Sequence, residues 1–196
     1  FVGRYGNELA MVDHPPCCSA AIIARSNIKW SPPPLGRLKL NVDGAVFSDT
    51  GRGGVGAVIR DHRGFIMLVI SIYVDAPLNA ENMEAMAVFR ACEIAQEERF
   101  SEFLVESDSA NIVAALNSDA YILSSFGHVT ETTRVLASSL GDPSFSHVFR
   151  EGNRMAHNLA RFAKSHRSYF ISSEFFPPCI HDLMNIEVFF TSVLMI

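Results

Sequence analysis

The sequence predicts an α/β domain: one mixed sheet of five strands, three antiparallel and then parallel ones, flanked by helices. Three observations carry this. Residues 37–74 contain three apolar runs separated by short linkers rich in turn formers, the pattern of an antiparallel meander. Beyond Pro77 the apolar period becomes helical, and strands then alternate with helices. Hydrophobic residues make up 48% of the 196 residues and charged residues 19%, which allows a substantial core and argues against wholesale disorder.

The elements follow in order. Residues 1–29 show no sustained period and contain His14-Pro15-Pro16, and residues 1–33 read as an N-terminal extension. Trp30-Ser31-Pro32-Pro33-Pro34 is a stiff lead-in, because proline fixes φ and biases its predecessor away from helix, so the domain is expected over 34–167. RLKLNVDGAV (37–46), GGVGAVIRD (53–61) and FIMLVISIYV (65–74) are the first three strands, and DHRG between the last two is a tight hairpin ending in Gly64. Residues 79–98 form a helix of good helix formers, with Met83, Ala87, Ala91 and Ile94 as its core stripe. FLVESDS (103–109) is a short buried strand leading into a helix over 109–117 with Ser109 as N-cap. A helix over about 123–139 stops at Gly141-Asp142-Pro143. SFSHVFRE (144–151) is the fifth strand, and 153–166 the last helix, with Met155, Leu159 and Phe162 on one face. Residues 168–196, with FFPPC and VFFTSVLMI, are expected as a C-terminal tail that either packs as an appendage or dangles as an aggregation-prone end. Phe100, Phe103, Phe145 and Phe149 read as core, His147 as structural and His62 as a turn residue.

Composition excludes several classes. The net charge is −5 and the pI about 5.8, so the global basic footprint of many nucleic-acid binders is missing, although a local groove or ion-mediated binding remains open. Cys17, Cys18, Cys92 and Cys179 show no C-x-x-C spacing and suggest neither a zinc site nor a disulfide scaffold, so an intracellular location, nuclear or cytoplasmic, is the default. No signal peptide is visible, and the longest apolar runs, such as FIMLVI at 65–70, are too short to span a bilayer. The chain begins with Phe1, which fits a fragment or a processed product.

The chemistry is expected from acids. Asp43 interrupts the apolar alternation of KLNVDGAV just before a glycine, and is expected to face a sheet edge and not the core. Asp108 closes the fourth strand immediately before a helix, and Glu81 and Glu84 share one face in the first turns of the long helix. If strands one and four are neighbours and the helix N-terminus leans over them, these carboxylates converge. Convergent carboxylates must protonate or recruit cations, and hard oxygen ligands suit Mg²⁺ or Mn²⁺. A pair of such ions about 4 Å apart can activate water and stabilise the leaving oxygen of a phosphodiester. Taken singly, Asp43 is an ordinary strand end, Asp108 a helix cap and Glu84 a solvated helix residue; only the combination points to chemistry.

These residues resemble a known family. WSPPPLGRLKLNVDGA, DGAVFSDTGRGGVGAVIRD, NMEAMA, VESDSANIV and REGNRMAHNLARFA, in this order over roughly residues 30–166, are similar to type 1 ribonuclease H domains, in particular the plant retroelement-derived, reverse transcriptase-like group. The resemblance implies a metal-dependent endonuclease that hydrolyses the RNA strand of RNA–DNA hybrids with two divalent ions. It implies Asp43, Glu84 and Asp108 as three of four acidic ligands, NMEAMA favouring Glu84 over Glu81. Glu81 then falls where the family has a substrate-contacting polar residue. Gly51, Gly53 and Gly54 would admit the RNA backbone closely, with Asp49 and Arg52 contacting it, and Gly44 and Ser109 complete the expected substrate-binding set.

The chain departs from the family at informative places. The fourth ligand position holds His157, and a position often occupied by a mobile histidine holds Arg150. Imidazole is a poorer partner for Mg²⁺ than carboxylate, so one ion is expected to bind weakly. Between 117 and 143 Arg134 is the only Lys or Arg, so the basic protrusion of some members is missing and hybrid affinity without partner domains is expected to be weak. The alternative reading is a catalytically weakened nucleic-acid-binding module of retroelement origin, or a retroelement fragment that folds without function. A monomer, or one part of a larger polyprotein, is expected.

Overall fold

The computed structural model describes residues 29–184 apart from Tyr121 and Asp142. The extension over 1–28, with Cys17 and Cys18, and the stretch VFFTSVLMI lie outside the described residues. The expected order of elements is present. Strands β1 (Leu38–Phe47), β2 (Arg52–Arg60) and β3 (Ile66–Val74) form the meander, followed by helix α1 (Ala80–Glu97), β4 (Phe103–Ser107), α2 (Ala110–Leu116), α3 (Ser125–Ser138), β5 (Ser144–His147) and α4 (Arg154–His166). A sixth strand, β6 (Tyr169–Ser172), was not expected. The sheet order is β5-β4-β1-β2-β3-β6, with β1 parallel to β4 and antiparallel to β2.

Alternation along β1 divides the molecule into two layers. Leu40 and Val42 point into the larger core, shared with α1 and with Ile112 of α2 and Phe126 of α3. Lys39, Asn41 and Asp43 point to the opposite face, which α4 covers together with a smaller cluster of Val58, Val69, Met155, Leu159, Ile180 and Leu183. Helix α4 lies directly on β2. A Cβ on Gly56 would stand 2.1 Å from the Ala156 carbonyl oxygen, so only glycine permits this approach. The Met83, Ala87, Ala91 and Ile94 stripe of α1 is buried, and the Asn79 side chain caps the helix by accepting the Asn82 N–H at 2.8 Å.

A polar cluster occupies the α4 face beside β1. The Trp30 indole lies against the buried Arg60 guanidinium, 3.7 Å from ring centroid to Cζ, and both Trp30 Nε1 and Arg60 Nη2 donate to Asn41 Oδ1 at 2.9 Å. Asn41 Nδ2 donates to Glu106, which pairs with Lys39 at 2.6 Å. The stiff lead-in is therefore docked onto the sheet.

Three expectations need correction. The segment beyond residue 167 is not merely a tail as far as it is described. Strand β6 pairs with β3, and residues 178–184 are helical and deliver Ile180 and Leu183 to the core. A strand of four residues carries too little alternation to be read from sequence. The fifth strand ends at His147: its partner β4 stops at Ser107, whose carbonyl accepts the Val148 N–H as a last rung, and Arg150–Gly152 then form a 3₁₀ turn. Phe149 is 41% exposed, with its ring edge-on to the exposed His147, whereas Phe103 is buried in the core and Phe100 and Phe145 pack against it. Cys92 and Cys179 are free thiols, and burial pushes Cys92 up to about 12. Among the described residues no helix is long and apolar enough to cross a membrane.

Candidate active site

The acids converge because of the strand order. Parallel pairing of β1 with β4 sets Val42 beside Ser107, which brings Asp43, the next residue of β1, and Asp108, the first residue beyond β4, to the same end of the sheet. The N-terminal half of α1 crosses above them. Gly44 makes this possible: a Cβ there would stand 2.6 Å from the Met83 carbonyl oxygen, and its own N–H donates to Glu84 Oε2 at 3.2 Å. One ligand oxygen from each of Asp43, Glu84 and Asp108 lies within 4.8 Å of the others. Asp43 is only 3% exposed, contrary to the expectation that it faces away from the core: β1 is a central strand, covered on this side by α4.

The cluster is short of positive charge. Burial, reinforced by the neighbouring Asp43 and Asp108 carboxylates, raises the Glu84 carboxyl to about 8. Burial and Asp43 likewise raise Asp108 above the ordinary range, opposed by a hydrogen bond from Asn153. Three oxygen donors with excess negative charge fit a hard divalent cation such as Mg²⁺ or Mn²⁺.

His157 sits at the border of this cluster. Its Nδ1 is 3.1 Å from Asp43 Oδ2, and Arg150 Nη2 is 3.0 and 3.1 Å from its two ring nitrogens. With the proton on Nδ1 the ring donates to Asp43. The guanidinium of Arg150 also acts at longer range, partly opposing the rise of both the Glu84 and the Asp108 carboxyl. Asn153, 1% exposed, donates through Nδ2 to the Val42 carbonyl at 2.8 Å and to Asp108 Oδ1 at 3.1 Å, tying the start of α4 to both acidic strands.

The acids form the floor of an open cleft of about 720 Å³, which Gly44, Glu81, Ser109, Arg150, His157, Arg161 and Lys164 also line. Ser109 stands at the N-cap of α2 without a side-chain capping bond, and its N–H donates to Ser107 Oγ at 3.1 Å. The other sequence-predicted contacts lie elsewhere. Asp49 holds Lys164 at 2.8 Å, an interaction that keeps its carboxyl below the ordinary range. Arg52 pairs with Asp75 at 2.7 Å, in a separate shallow depression with Tyr73 and Arg167. Gly51 is the positive-φ residue of the β1–β2 turn. Gly53 serves packing, since a Cβ there would stand 2.0 Å from Met83 Cε. Asn153, Arg161 and Lys164 were not singled out in the sequence. The available signal was their helical spacing with His157, at 153, 157, 161 and 164, a polar stripe opposite the apolar face of α4.

A β-β-β-α-β chain with acids meeting at the ends of adjacent parallel strands is a ribonuclease H fold. Solved structures bear this out. Ribonuclease H1 of the halophilic archaeon Halobacterium salinarum superposes with a TM-score of 0.62 at 24% identity, covering 67% of this chain and 99% of that one. The N-terminal ribonuclease H domain of a Mycobacterium tuberculosis protein gives 0.60 at 18% identity, over 66% and 94%. A ribonuclease H1 isolated from compost, solved in complex with an RNA/DNA hybrid, gives 0.61 at 22%, over 67% and 99%. The family model described as reverse transcriptase-like matches residues 41–163, and the chain belongs to that family. A provisionally named ribonuclease H protein of Arabidopsis thaliana is 29% identical over 160 residues, 80% of this chain and 25% of that protein. The chain thus spans about a quarter of that relative's length.

Proposed function

We propose that this domain is a metal-dependent endonuclease that hydrolyses the RNA strand of RNA–DNA hybrids. The observation that carries the reading is the convergence of Asp43, Glu84 and Asp108 within 4.8 Å on a ribonuclease H fold. In this reading the three carboxylates hold two Mg²⁺ or Mn²⁺ ions, with His157 in the fourth ligand position. Bound there, divalent ions would supply an activated water and charge stabilisation at the leaving oxygen. The protein's own part is positioning. Asn153 fixes Asp108, the Gly44 N–H fixes Glu84, and His157 orients the Asp43 carboxylate. Glu81 and Ser109 line the cleft where the strand to be cut would lie.

A second reading, a catalytically weakened hybrid-binding module, is favoured by one observation: His157 spends its Nδ1 on Asp43 and lies under Arg150. A neutral ligand beside a fixed cation lowers the charge available to a second ion.

Cleavage of a labelled hybrid in Mg²⁺ and in Mn²⁺ tests both. The wild type is expected to cleave, more strongly in Mn²⁺, and Asp43→Asn and Asp108→Asn to lose roughly 10³-fold or more in rate, corresponding to several kcal/mol of transition-state charge stabilisation. Activity that survives both substitutions sinks the endonuclease mechanism. Wild-type binding without turnover, with cleavage appearing in His157→Asp, selects the weakened module.

A further inference from the structure

Helix α4 presents a second chemistry to the cleft. His157, Arg161 and Lys164 fall at i, i+4 and i+7, one helical stripe, and all three line the cleft whose floor is acidic. With a rise of about 1.5 Å per residue, Arg161 stands roughly 6 Å and Lys164 roughly 10 Å along the helix from His157. Arg161 is exposed and makes no hydrogen bond or ion pair among the described residues. Lys164 reaches across the cleft mouth, its amine bound to Asp49 of the β1–β2 turn at 2.8 Å and 5.7 Å from the Phe47 ring centroid. A carboxylate floor repels a polyanion, so a strand that enters this cleft needs cations beside the floor. The α4 stripe supplies them on one wall, in a protein whose net charge of −5 offers no general attraction.

We propose that Arg161, assisted by Lys164, is a phosphate-binding wall that holds the nucleic-acid backbone next to the acidic floor and sets its path along α4 toward the β1–β2 turn. The proposal rests on the nucleic-acid reading of the site but not on turnover. Arg161 presents a planar fork of donors that matches a phosphate and has no competing partner. Lys164 must exchange Asp49 for a phosphate, so its contribution is the smaller. Asp49 acts as a holder of Lys164 and not as a contact to the strand. Because the wall reads phosphates, it carries no sequence preference.

The test is binding of a fluorescent RNA–DNA hybrid by anisotropy at several salt concentrations, with the full chain carrying Asp108→Asn so that cleavage does not intervene. Arg161→Gln is expected to weaken binding roughly 8-fold at 0.1 M salt, uniformly across hybrid sequences, and to reduce the salt slope by about 0.9, the value for one lost phosphate contact. Arg161→Lys is expected to retain the slope. Lys164→Gln is expected to lose less than Arg161→Gln. An exposed helix position tolerates these changes, and an unchanged melting temperature verifies that the fold persists. Unchanged affinity and slope in Arg161→Gln overturns the wall while leaving the catalytic reading intact. Hybrid binding by the Asp108→Asn parent, together with a wild-type chain that cleaves in neither Mg²⁺ nor Mn²⁺, leaves the wall standing and removes the catalytic reading. A parent that does not bind hybrid at all overturns both.

Discussion

Two polar clusters share one face of β1, and their charges are treated differently. At the first, Lys39 meets Glu106 at 2.6 Å, Asn41 bridges Glu106 to Arg60, and the Trp30 ring covers the Arg60 guanidinium. At the second, two residues further along the sequence, Asp43, Asp108 and Glu84 converge, and His157, held by Arg150, is the basic side chain that touches one of these acids among the described residues. Glu106 and Asp108 are neighbours on one strand, yet Glu106 has its cation and Asp108 has a neutral amide, Asn153. The first cluster is compensated and attaches the lead-in to the sheet. The second is left with a deficit that Glu84 registers, its carboxyl standing at about 8.

The largest expected effect comes from breaking the compensated cluster. The Lys39 side chain is only 5% exposed, and Lys39→Met leaves Glu106 without its cation, which is expected to lower unfolding free energy by roughly 3–5 kcal/mol in urea denaturation. Lys39→Met with Glu106→Gln is expected to recover part of that loss, since the uncompensated charge is then gone. If Lys39→Met is neutral, the two clusters do not differ in the way described.

The next effect belongs to the deficit. Glu84 and Asp108 have carboxyl pKa values raised by folding, so the folded state binds more protons than the unfolded one between the two values. Stability without divalent ions is therefore expected to fall as pH rises from about 4.5 to about 8, the range over which Glu84 changes. The slope contributed by one such group is at most about 1.4 kcal/mol per pH unit. Glu84→Gln is expected to flatten the melting-temperature profile over this range, and saturating Mn²⁺ to do the same by supplying the missing charge. A profile as steep in Glu84→Gln as in the wild type would place the deficit elsewhere.

The sequence displayed the floor of the site better than its walls. Asp43 and Asp108 are legible because each interrupts or ends a regular pattern and because the order of strands follows from a meander and then alternation, whereas Glu84 is told from Glu81 only by the resemblance of NMEAMA to the family's helix start. Register does the rest: once β1 pairs with β4, the two aspartates have to meet. At Gly53 a glycine-rich turn looks like an approach route for a ligand, and the structure adds a second reason for the glycine: the missing Cβ makes room for Met83. Packing between a strand and a helix distant in sequence leaves no local trace. Asn153, Arg161 and Lys164 were hidden in an amphipathic helix whose polar side looks like any solvated face. Strand β6 was hidden by brevity, and its partner strand β3 supplied no signal that an edge remained to be covered.

The smallest effect tests what divides the deficient cluster from the compensated one, namely how far Arg150 already fills the charge gap. Arg150 contacts His157 and partly opposes the rise of the Glu84 and Asp108 carboxyls from an exposed position. A cation so placed opposes a divalent ion by direct repulsion, yet solvent screens it. Arg150→Gln is therefore expected to tighten Mn²⁺ binding by roughly five- to tenfold, on the order of 1 kcal/mol, in calorimetric titration of the protein without nucleic acid. The gain should shrink at high salt, because screening weakens the same repulsion in the wild type. Charge alone predicts that Arg150→Lys resembles the wild type. A contribution from the guanidinium's contacts with both ring nitrogens predicts that Lys, a point donor, frees His157 and shifts its contact with Asp43. Weaker Mn²⁺ binding in Arg150→Gln would mean that Arg150 acts chiefly by holding His157 against Asp43, and that the cluster needs this orientation more than it needs the charge.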